Sequence, residues 1–403
     1  MSTIKCEEPM ETALNEIYLD NGATTKPSKG VVAKMREVLE AAYGNPSSLH
    51  RKGQEAERYV KEARETLAQV LQADPVSVYF TSGGTECSNT AILGAASSSE
   101  RRGKHILTLR GEHPATSEPL KYLQEQGWEI EYIGTDEQGR ADLEDFRCKL
   151  REDTVLVTCL QVNNETGVIQ PVQEMGGILR ECAPHTLFHV DAVQSFAKME
   201  IFPRKWNIDL LSSSAHKIHG PKGVGGLYIR RDLHIPSFIR GGGQERQFRS
   251  GTENVPGIAG FGQAAKEAWD ERRRRQESMQ CCKLYLYEQL RKSIDGITHN
   301  GPEPREGAAH ILNLRIKGVR SEVLLHALED YGIYVSSGSA CASNKPDVKS
   351  PALGALGMSA EAIDESVRVS FSKDSTLDEM DRVVKACTEI IPMLRRFTPK
   401  GRR

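Results

Sequence analysis

Thr154-Val155-Leu156-Val157-Thr158-Cys159-Leu160, the helix-length segment Val172–Cys182, and then Leu187-Phe188-His189-Val190 decide the fold class of this chain. The two apolar runs are strand-sized and rich in β-branched and large apolar residues. The same alternation extends outward from them. Val76–Phe80, His105–Leu109 and Glu129–Ile133 read as strands before this stretch, and Ile208–Ser212 and Gly226–Ile229 after it. Thr85–Ala96 and Pro114–Gln126 read as helices in between. Such alternation predicts an α/β fold whose mostly parallel, seven-stranded sheet is covered on both faces. Ligands of these sheets bind where the carboxyl ends of the strands meet the following loops.

The pattern changes at Gly241-Gly242-Gly243. From about Pro256 a long helical segment runs through Ala264–Leu290. Strands at Ile311–Ile316, Ile333–Ser336 and Val367–Phe371 follow, with helices at Ser321–Asp330 and Leu377–Arg395. The expected division is a large domain over 17–255 and a smaller α+β domain over 256–403, with segment 1–16 grouped with the latter. The 403 residues agree with two or three domains at ~150 residues each.

Composition excludes several classes. The 53 Lys+Arg against 55 Asp+Glu leave a formal charge of −2, which argues against a nucleic-acid partner. Arg272–Arg275 has acidic neighbours in Asp270, Glu271 and Glu277, so it reads as a solvated helix face. No apolar run approaches the ~20 residues of a membrane span, and the first residues lack a signal or transit pattern. The nine cysteines are scattered and form no C-x-x-C, so neither a disulfide framework nor a structural metal site is expected. The expectation is a cytoplasmic enzyme that binds no metal.

Four constellations carry chemistry. Thr81-Ser82-Gly83-Gly84-Thr85-Glu86 follows a strand and opens a helix. It is either a phosphate cradle of free N–H groups or a tight β–α turn with an N-capping Thr. His189-Val190-Asp191-Ala192-Val193-Gln194 places an Asp at a strand's carboxyl end, to hold a protonated ring nitrogen or to cap a helix. Ser212–Gly223 carries Lys217 among Ser214, His216, His219 and Gly220, one helix-and-strand unit after Asp191. A partly desolvated Lys there can form a Schiff base, whereas two histidines without a third ligand make a poor metal site. Ser336-Ser337-Gly338-Ser339-Ala340-Cys341-Ala342-Ser343 surrounds a thiol with small polar residues, which describes a loop nucleophile or an inert exposed Cys. His113 ends the loop after His105–Leu109, as a ring-stacking proton carrier or a capping residue. Arg368 lies between Val367 and Val369 and calls for an anionic partner, of which a substrate carboxylate is one candidate.

Together with Tyr18–Thr25, Tyr43–Ser48, Val162-Asn163-Asn164-Glu165-Thr166-Gly167 and Arg249–Val255, these stretches resemble the cysteine desulfurases. Those are class V aminotransferase-family enzymes dependent on pyridoxal 5'-phosphate (PLP), and the resemblance is to the branch serving iron–sulfur and nitrogenase assembly. The resemblance covers residues 17 to 395 and implies the aspartate aminotransferase-like, fold type I architecture. It implies that Lys217 forms the covalent link to PLP, Asp191 meets the pyridinium nitrogen, Gln194 the phenolic oxygen, and His113 the ring face. Gly84, Thr85, Ser214 and His216 would hold the phosphate, with Ala215 also against the cofactor and Thr252 donated to a partner subunit's site. A homodimer with shared active sites follows. Asn164 and Arg368 would bind cofactor and substrate, and Cys341 would take the sulfur of L-cysteine, leaving alanine and a persulfide for a sulfur-acceptor protein such as an iron–sulfur scaffold.

Two departures from that family are visible. Asn344–Pro351 is more polar and charged than usual, and Ser370-Phe371-Ser372-Lys373 replaces the common Ser-Leu-Gly-Arg. The competing readings are a selenocysteine lyase or other PLP lyase or aminotransferase, and a non-catalytic sulfur-relay or scaffold-binding protein. Cys341 speaks against a transaminase, which needs no mobile thiol, and a selenocysteine lyase would show a strong selenium preference. Lys217, Asp191, Gln194, His113 and Cys341 together speak against the non-catalytic reading.

Overall fold

The computed structural model describes residues 16–337 and 350–397. Its strands are β1 (Ile17–Tyr18), β2 (Val78–Thr81), β3 (His105–Leu109), β4 (Glu129–Ile133), β5 (Thr154–Leu160), β6 (Leu187–Asp191), β7 (Leu210–Ser214), β8 (Gly225–Ile229), β9 (Ile297–His299), β10 (Ile311–Ile316), β11 (Ile333–Tyr334), β12 (Ser336–Ser337) and β13 (Ser366–Ser370). The helices are α1 (Lys29–Ala41), α2 (Arg51–Leu71), α3 (Gly84–Ser99), α4 (Pro114–Glu125), α5 (Leu143–Lys149), α6 (Val172–Cys182), α7 (Val255–Asp270), α8 (Arg272–Ser293), α9 (Ser321–Glu329), α10 (Pro351–Ala355), α11 (Ala360–Asp364) and α12 (Leu377–Phe397).

The seven-stranded sheet has the order β2-β8-β7-β6-β5-β3-β4. The pairings among β3 to β7 are parallel, and β8 runs antiparallel to both β7 and β2. A parallel return needs a crossover of a dozen or more residues. Only 215–224 link β7 to β8, so the chain turns back as a hairpin, and that hairpin carries Lys217. Successive residues of the central strands serve opposite faces. Leu107, Val157, Val190 and Leu211 pack with α2, α6 and α7, while Ile106, Leu156, Leu187 and Leu210 pack with α3 and α4. This double burial explains the uninterrupted apolar run of β5.

A separate core joins Ile17 and Leu19 to α8, α9, α12 and the sheet β12-β13-β10-β9. Its make-up differs from the expected division at 256. Ile258, Phe261 and Ala265 of α7 lie in the first core, so the change of core comes at Glu271, between α7 and α8. Apolar periodicity shows that a helix covers a core without showing which one. The expected strand Ile333–Ser336 is likewise two elements, since β11 pairs parallel with β1 and β12 antiparallel with β13. Of the arginine run, Arg273 and Arg274 are exposed. Arg275 is buried against Glu271 at 2.9 Å, and Arg272 lies 3.9 Å over the Trp269 ring. Among the described residues no cysteines are joined, and no helix is long and apolar enough to cross a membrane.

Helix α6 supplies a paired test of this packing. A Cβ on Gly176 would fall 1.8 Å from the Trp206 carbonyl oxygen, whereas one on the next residue, Gly177, would meet nothing within 4 Å. Gly176→Ala is expected to destabilise the protein by roughly 1–3 kcal/mol, because backbone must move. Gly177→Ala should stabilise it by up to about 1 kcal/mol through helix propensity. Denaturant titration of both variants checks the contrast.

Candidate active site

The carboxyl ends of the strands converge on one cavity of about 310 Å³. Asp191 ends β6, Lys217 hangs from the β7–β8 hairpin, His113 precedes α4, Gly84 and Thr85 open α3, and Asn164 follows β5. All of these line the cavity, as do Gln194, Ser214, His216 and Arg368. Nine sequence-predicted positions outside the hairpin's own Lys217 are thus gathered from separate elements.

The hairpin is strapped down by the segment 20–25. Thr25 Oγ1 donates to the His216 carbonyl at 2.8 Å and accepts the His219 N–H at 2.7 Å. His219 adopts φ 66° in the left-handed region, which bends the chain immediately after Lys217. Lys217 Nζ donates to the carbonyl oxygens of Gly22 at 2.6 Å and Ala23 at 2.8 Å. Asp191 Oδ1 accepts the Val193 N–H at 2.9 Å, so this side chain both caps its own turn and faces the cavity. Burial pushes the Asp191 carboxyl up to about 6, against the opposing pull of that N–H and of Lys217.

His113 reconciles its two readings in the same way. Its Nδ1 accepts the Ala115 N–H at 3.0 Å as the cap of α4, while the ring lines the cavity. Burial, with Lys217 and Arg368 nearby, holds it down to about 4. A neutral ring whose Nδ1 accepts must carry its proton at Nε2. His189, by contrast, is a core residue. Its two nitrogens meet Thr158 at 2.8 Å and Ser212 at 2.9 Å, stitching β5, β6 and β7 together.

The N-terminus of α3 has no side-chain cap, and Gly83 precedes it. Its first two residues, Gly84 and Thr85, line the cavity beside Ser214 and His216, and a helix start with uncapped N–H groups there suits an anion. Glu86 is turned away from them. Burial raises its pKa, but Arg249 at 2.9 Å and the Ser82 N–H outweigh that and leave it lowered. The same ion pair fixes the Arg249–Val255 stretch against the Thr81–Glu86 turn.

Arg368 finds its anion within the chain. Nη2 donates to Asp20 Oδ1 at 2.7 Å, Nη1 to the Asn164 carbonyl at 2.9 Å, and the buried Nε has no partner among the described residues. Asn163 builds the turn that presents Asn164, accepting the N–H groups of Glu165 and Thr166, each at 2.9 Å. The departure at Ser372 needs no glycine, because Ser372 is not among the residues with positive φ. Ser375 Oγ accepts the Ser372 N–H at 3.1 Å and closes that turn.

Three predicted positions stand apart. Ala215 is wholly buried in the core behind the hairpin and does not line the cavity. Thr252 is exposed, three residues beyond Arg249. Cys341 lies outside the described residues, and the strand leading to it, β12, pairs Ser336 with Arg368. On the far side, Ser350 Oγ donates to Glu165, the neighbour of Asn164. Sequence reasoning gave no role to Asp20, Gly22, Ala23 or His310, although the first three lie inside the Tyr18–Thr25 stretch. A larger cleft, of about 1070 Å³, is lined by Asp74, Asp209 and Arg230 and includes none of the predicted residues. In the group His105, Glu129 and Glu131, Arg151 holds both oxygens of Glu129 at 2.8 Å, and Lys149 lies 3.8 Å from Glu131.

The aminotransferase class-V family model matches residues 17–383. The cysteine desulfurase IscS of Methanosarcina thermophila is 39% identical over 99% of this chain and 98% of its own length. The putative cysteine desulfurase IscS 1 of Bacillus subtilis is 37% identical over 94% of this chain and 100% of its own. Among solved structures, a NifS-like protein superposes with a TM-score of 0.88 at 36% identity, covering 94% of this chain and 100% of its own. The apo cysteine desulfurase of Thermococcus onnurineus superposes at 0.84 with 28% identity, over 94% and 95%. Family, fold and the converging strand ends agree, and the chain belongs to the class V aminotransferases as a member of their cysteine desulfurase group.

Proposed function

We propose that this chain binds PLP through Lys217 and moves the sulfur of L-cysteine onto Cys341, releasing L-alanine. The observation that carries the reading is the pairing, in one cavity, of the Lys217 ammonium with a buried Asp191 carboxyl whose turn-capping oxygen is its only bonded one among the described contacts. The residues fit the cofactor. A protonated ring nitrogen would add a cation bonded directly to Asp191 beyond the pull of Lys217, and the α3 N-terminus with Ser214 suits a phosphate.

When bound, PLP supplies an electron sink that makes the substrate's Cα–H and C–S bonds breakable. Lys217 accepts and returns the Cα proton once the substrate has freed its Nζ as an amine; in the ligand-free chain that Nζ donates to the Gly22 and Ala23 carbonyls. Arg368 and Asn164 orient the substrate carboxylate. The Cys341 thiolate attacks the substrate sulfur, so an S–S bond forms as the C–S bond breaks. The electron pair passes to the carbon skeleton, which is protonated to alanine. Cysteine plus a protein thiol thus become alanine plus a protein persulfide, with no external oxidant. His113 works as a neutral donor from Nε2 and passes a proton on; with its pKa near 4 it stores none at pH 7.

The two ends of the 338–349 segment, at β12 and Ser350, both abut groups beside the cavity, which supports delivery of Cys341 to it. Exposure of Thr252 next to an anchored Arg249 supports its use by a second subunit in a homodimer. The persulfide then serves a sulfur-acceptor protein, in line with the resemblance of Ser336–Cys341 to the iron–sulfur assembly branch. A cytoplasmic setting accompanies this reading.

Incubation with L-cysteine and a dithiol should release alanine and sulfide in equal amounts. Cys341→Ser should keep the PLP absorption and lose both products, and Lys217→Ala should lose the covalently bound PLP band. Pyruvate in place of alanine would overturn the assignment. His113→Ala should retain PLP and slow persulfide formation by about 10²-fold. Because the ring is already neutral, the pH profile above 6 should keep its shape; undiminished turnover would remove His113 from the relay. Asp191 titrates near 6 when folded against 3.8 as a free side chain. The folded state therefore binds the extra proton, and PLP-free protein loses stability as pH rises through that window, by up to ~3 kcal/mol. Asp191→Asn should flatten this slope in melting experiments on PLP-free protein while lowering turnover of the loaded enzyme at least about 10²-fold.

A further inference from the structure

We propose that His310 is a positioning residue that fixes which way the Gln194 carboxamide faces, and through it the donor offered to the cofactor's phenolic oxygen. The inference rests on the proposed function, in which Gln194 faces that oxygen. His310 precedes β10, is 4% exposed, and belongs to none of the stretches that carry the family resemblance.

The orientation can be worked out from a backbone carbonyl, which has no ambiguity. Gln194 and the Gly22 carbonyl oxygen are 2.9 Å apart, and only the carboxamide nitrogen can donate there. The reverse orientation would set two oxygens against each other at that distance. The Gln194 Oε1 therefore faces Nε2 of His310, 3.3 Å away, and this contact is a hydrogen bond only if Nε2 carries a proton. Burial holds His310 well below its ordinary pKa, and Lys198 after β6, Lys283 on α8, Lys217 on the hairpin and Arg368 on β13 act in the same direction. The neutral ring has one proton to place, and the carboxamide oxygen draws it to Nε2. With Oε1 satisfied and one N–H on Gly22, the second N–H of Gln194 is the one left for the cavity that Gln194 lines.

Without the His310 donor, Oε1 is a buried acceptor with nothing to accept from. The carboxamide orientation is then no longer fixed from the Oε1 side, and any turn that relieves that oxygen changes which N–H is offered to a phenolic oxyanion. His310 thus acts through Gln194 and touches neither cofactor nor substrate.

The test uses PLP-loaded enzyme and four variants, His310→Leu, His310→Asn, Gln194→Ala and the double variant His310→Leu/Gln194→Ala. The readouts are the PLP dissociation constant and the pH midpoint of the visible absorption band. His310→Leu should weaken PLP binding about tenfold and raise the midpoint, as expected for loss of a donor to a charged oxygen. His310→Asn, which keeps an N–H, should restore most of both. In the Gln194→Ala background, His310→Leu should add less than about twofold. A full tenfold loss persisting in that background would show a purely structural role and overturn the proposal. If Gln194→Ala itself shifts neither readout, the assignment of Gln194 fails and the inference falls with it, whereas a Gln194 effect without a His310 effect sinks the inference alone. Should the leucine variant not fold, ¹⁵N-histidine NMR of the unmodified enzyme decides. Protonated Nε2 on His310 supports the proposal, and protonated Nδ1 overturns it.

Discussion

The peptide unit at Gly22 is the junction on which the site depends. Its carbonyl oxygen accepts from Lys217 Nζ at 2.6 Å and Gln194 Nε2 at 2.9 Å, and its N–H donates to Ser370 Oγ at 2.7 Å. Ser370 in turn donates to the Leu19 carbonyl at 3.1 Å. One residue thereby connects the strand-end loop of β6, the β7–β8 hairpin and β13, which belong to two different cores. Close approach explains why it is a glycine. A Cβ there would lie 3.2 Å from both Arg368 Nε and Ser370 Oγ. The relative placement of the two cores is set in part at the site itself, so the cavity is where two separately packed units meet.

Charge is distributed around this junction with a consistent sign. Burial first, and then Lys198, Lys283, Lys217 and Arg368, lower His310; burial with overlapping sets of cations does the same to His113 and His216, so all three imidazoles are held neutral. Lys198 is lowered to about 7 by burial and by Lys217, and Lys283 to about 8 by burial. Such crowding of cations is costly unless anions arrive. Under the proposed function a phosphate, a phenolic oxygen and a substrate carboxylate would be those anions, with Asp191 facing a cationic ring nitrogen, while Asp20 already meets the guanidinium of Arg368.

Much of this was legible in sequence because it depends on local order. The spans of β3, β4, β5, α6 and β10 coincide with the expected ones, since their apolar residues recur at strand or helix spacing over a well-bounded stretch. Asp191 and Lys217 were readable as a pair because adjacent strand ends share an edge whatever the details of packing. What escaped depends on distant contacts. α1 and α2 carry mixed, charged sequences, and their burial against α7 follows from tertiary packing. Glu271 divides a helical segment that looks continuous, and β11 and β12 part company because their partners, β1 and β13, lie far away in sequence. His310 looked like any residue entering a strand; its contact with Gln194 spans 116 positions.

Arg368 shows how a role can be half visible from sequence. An arginine between two valines in a strand does require an anion, and the structure supplies one in Asp20. Under the proposed function that internal partner would prepare the guanidinium for a substrate carboxylate without displacing it. A guanidinium has five N–H groups in a rigid plane, and Asp20 and the Asn164 carbonyl use one each on Nη2 and Nη1. The plane is then fixed at two corners, with the remaining N–H groups of the fork oriented before any ligand arrives. Asp20 also offsets the cost of keeping this cation 5% exposed beside Lys217. A carboxylate bound as proposed would meet an arginine whose rotamer freedom has already been lost in folding, so little of its binding energy would go into ordering the side chain.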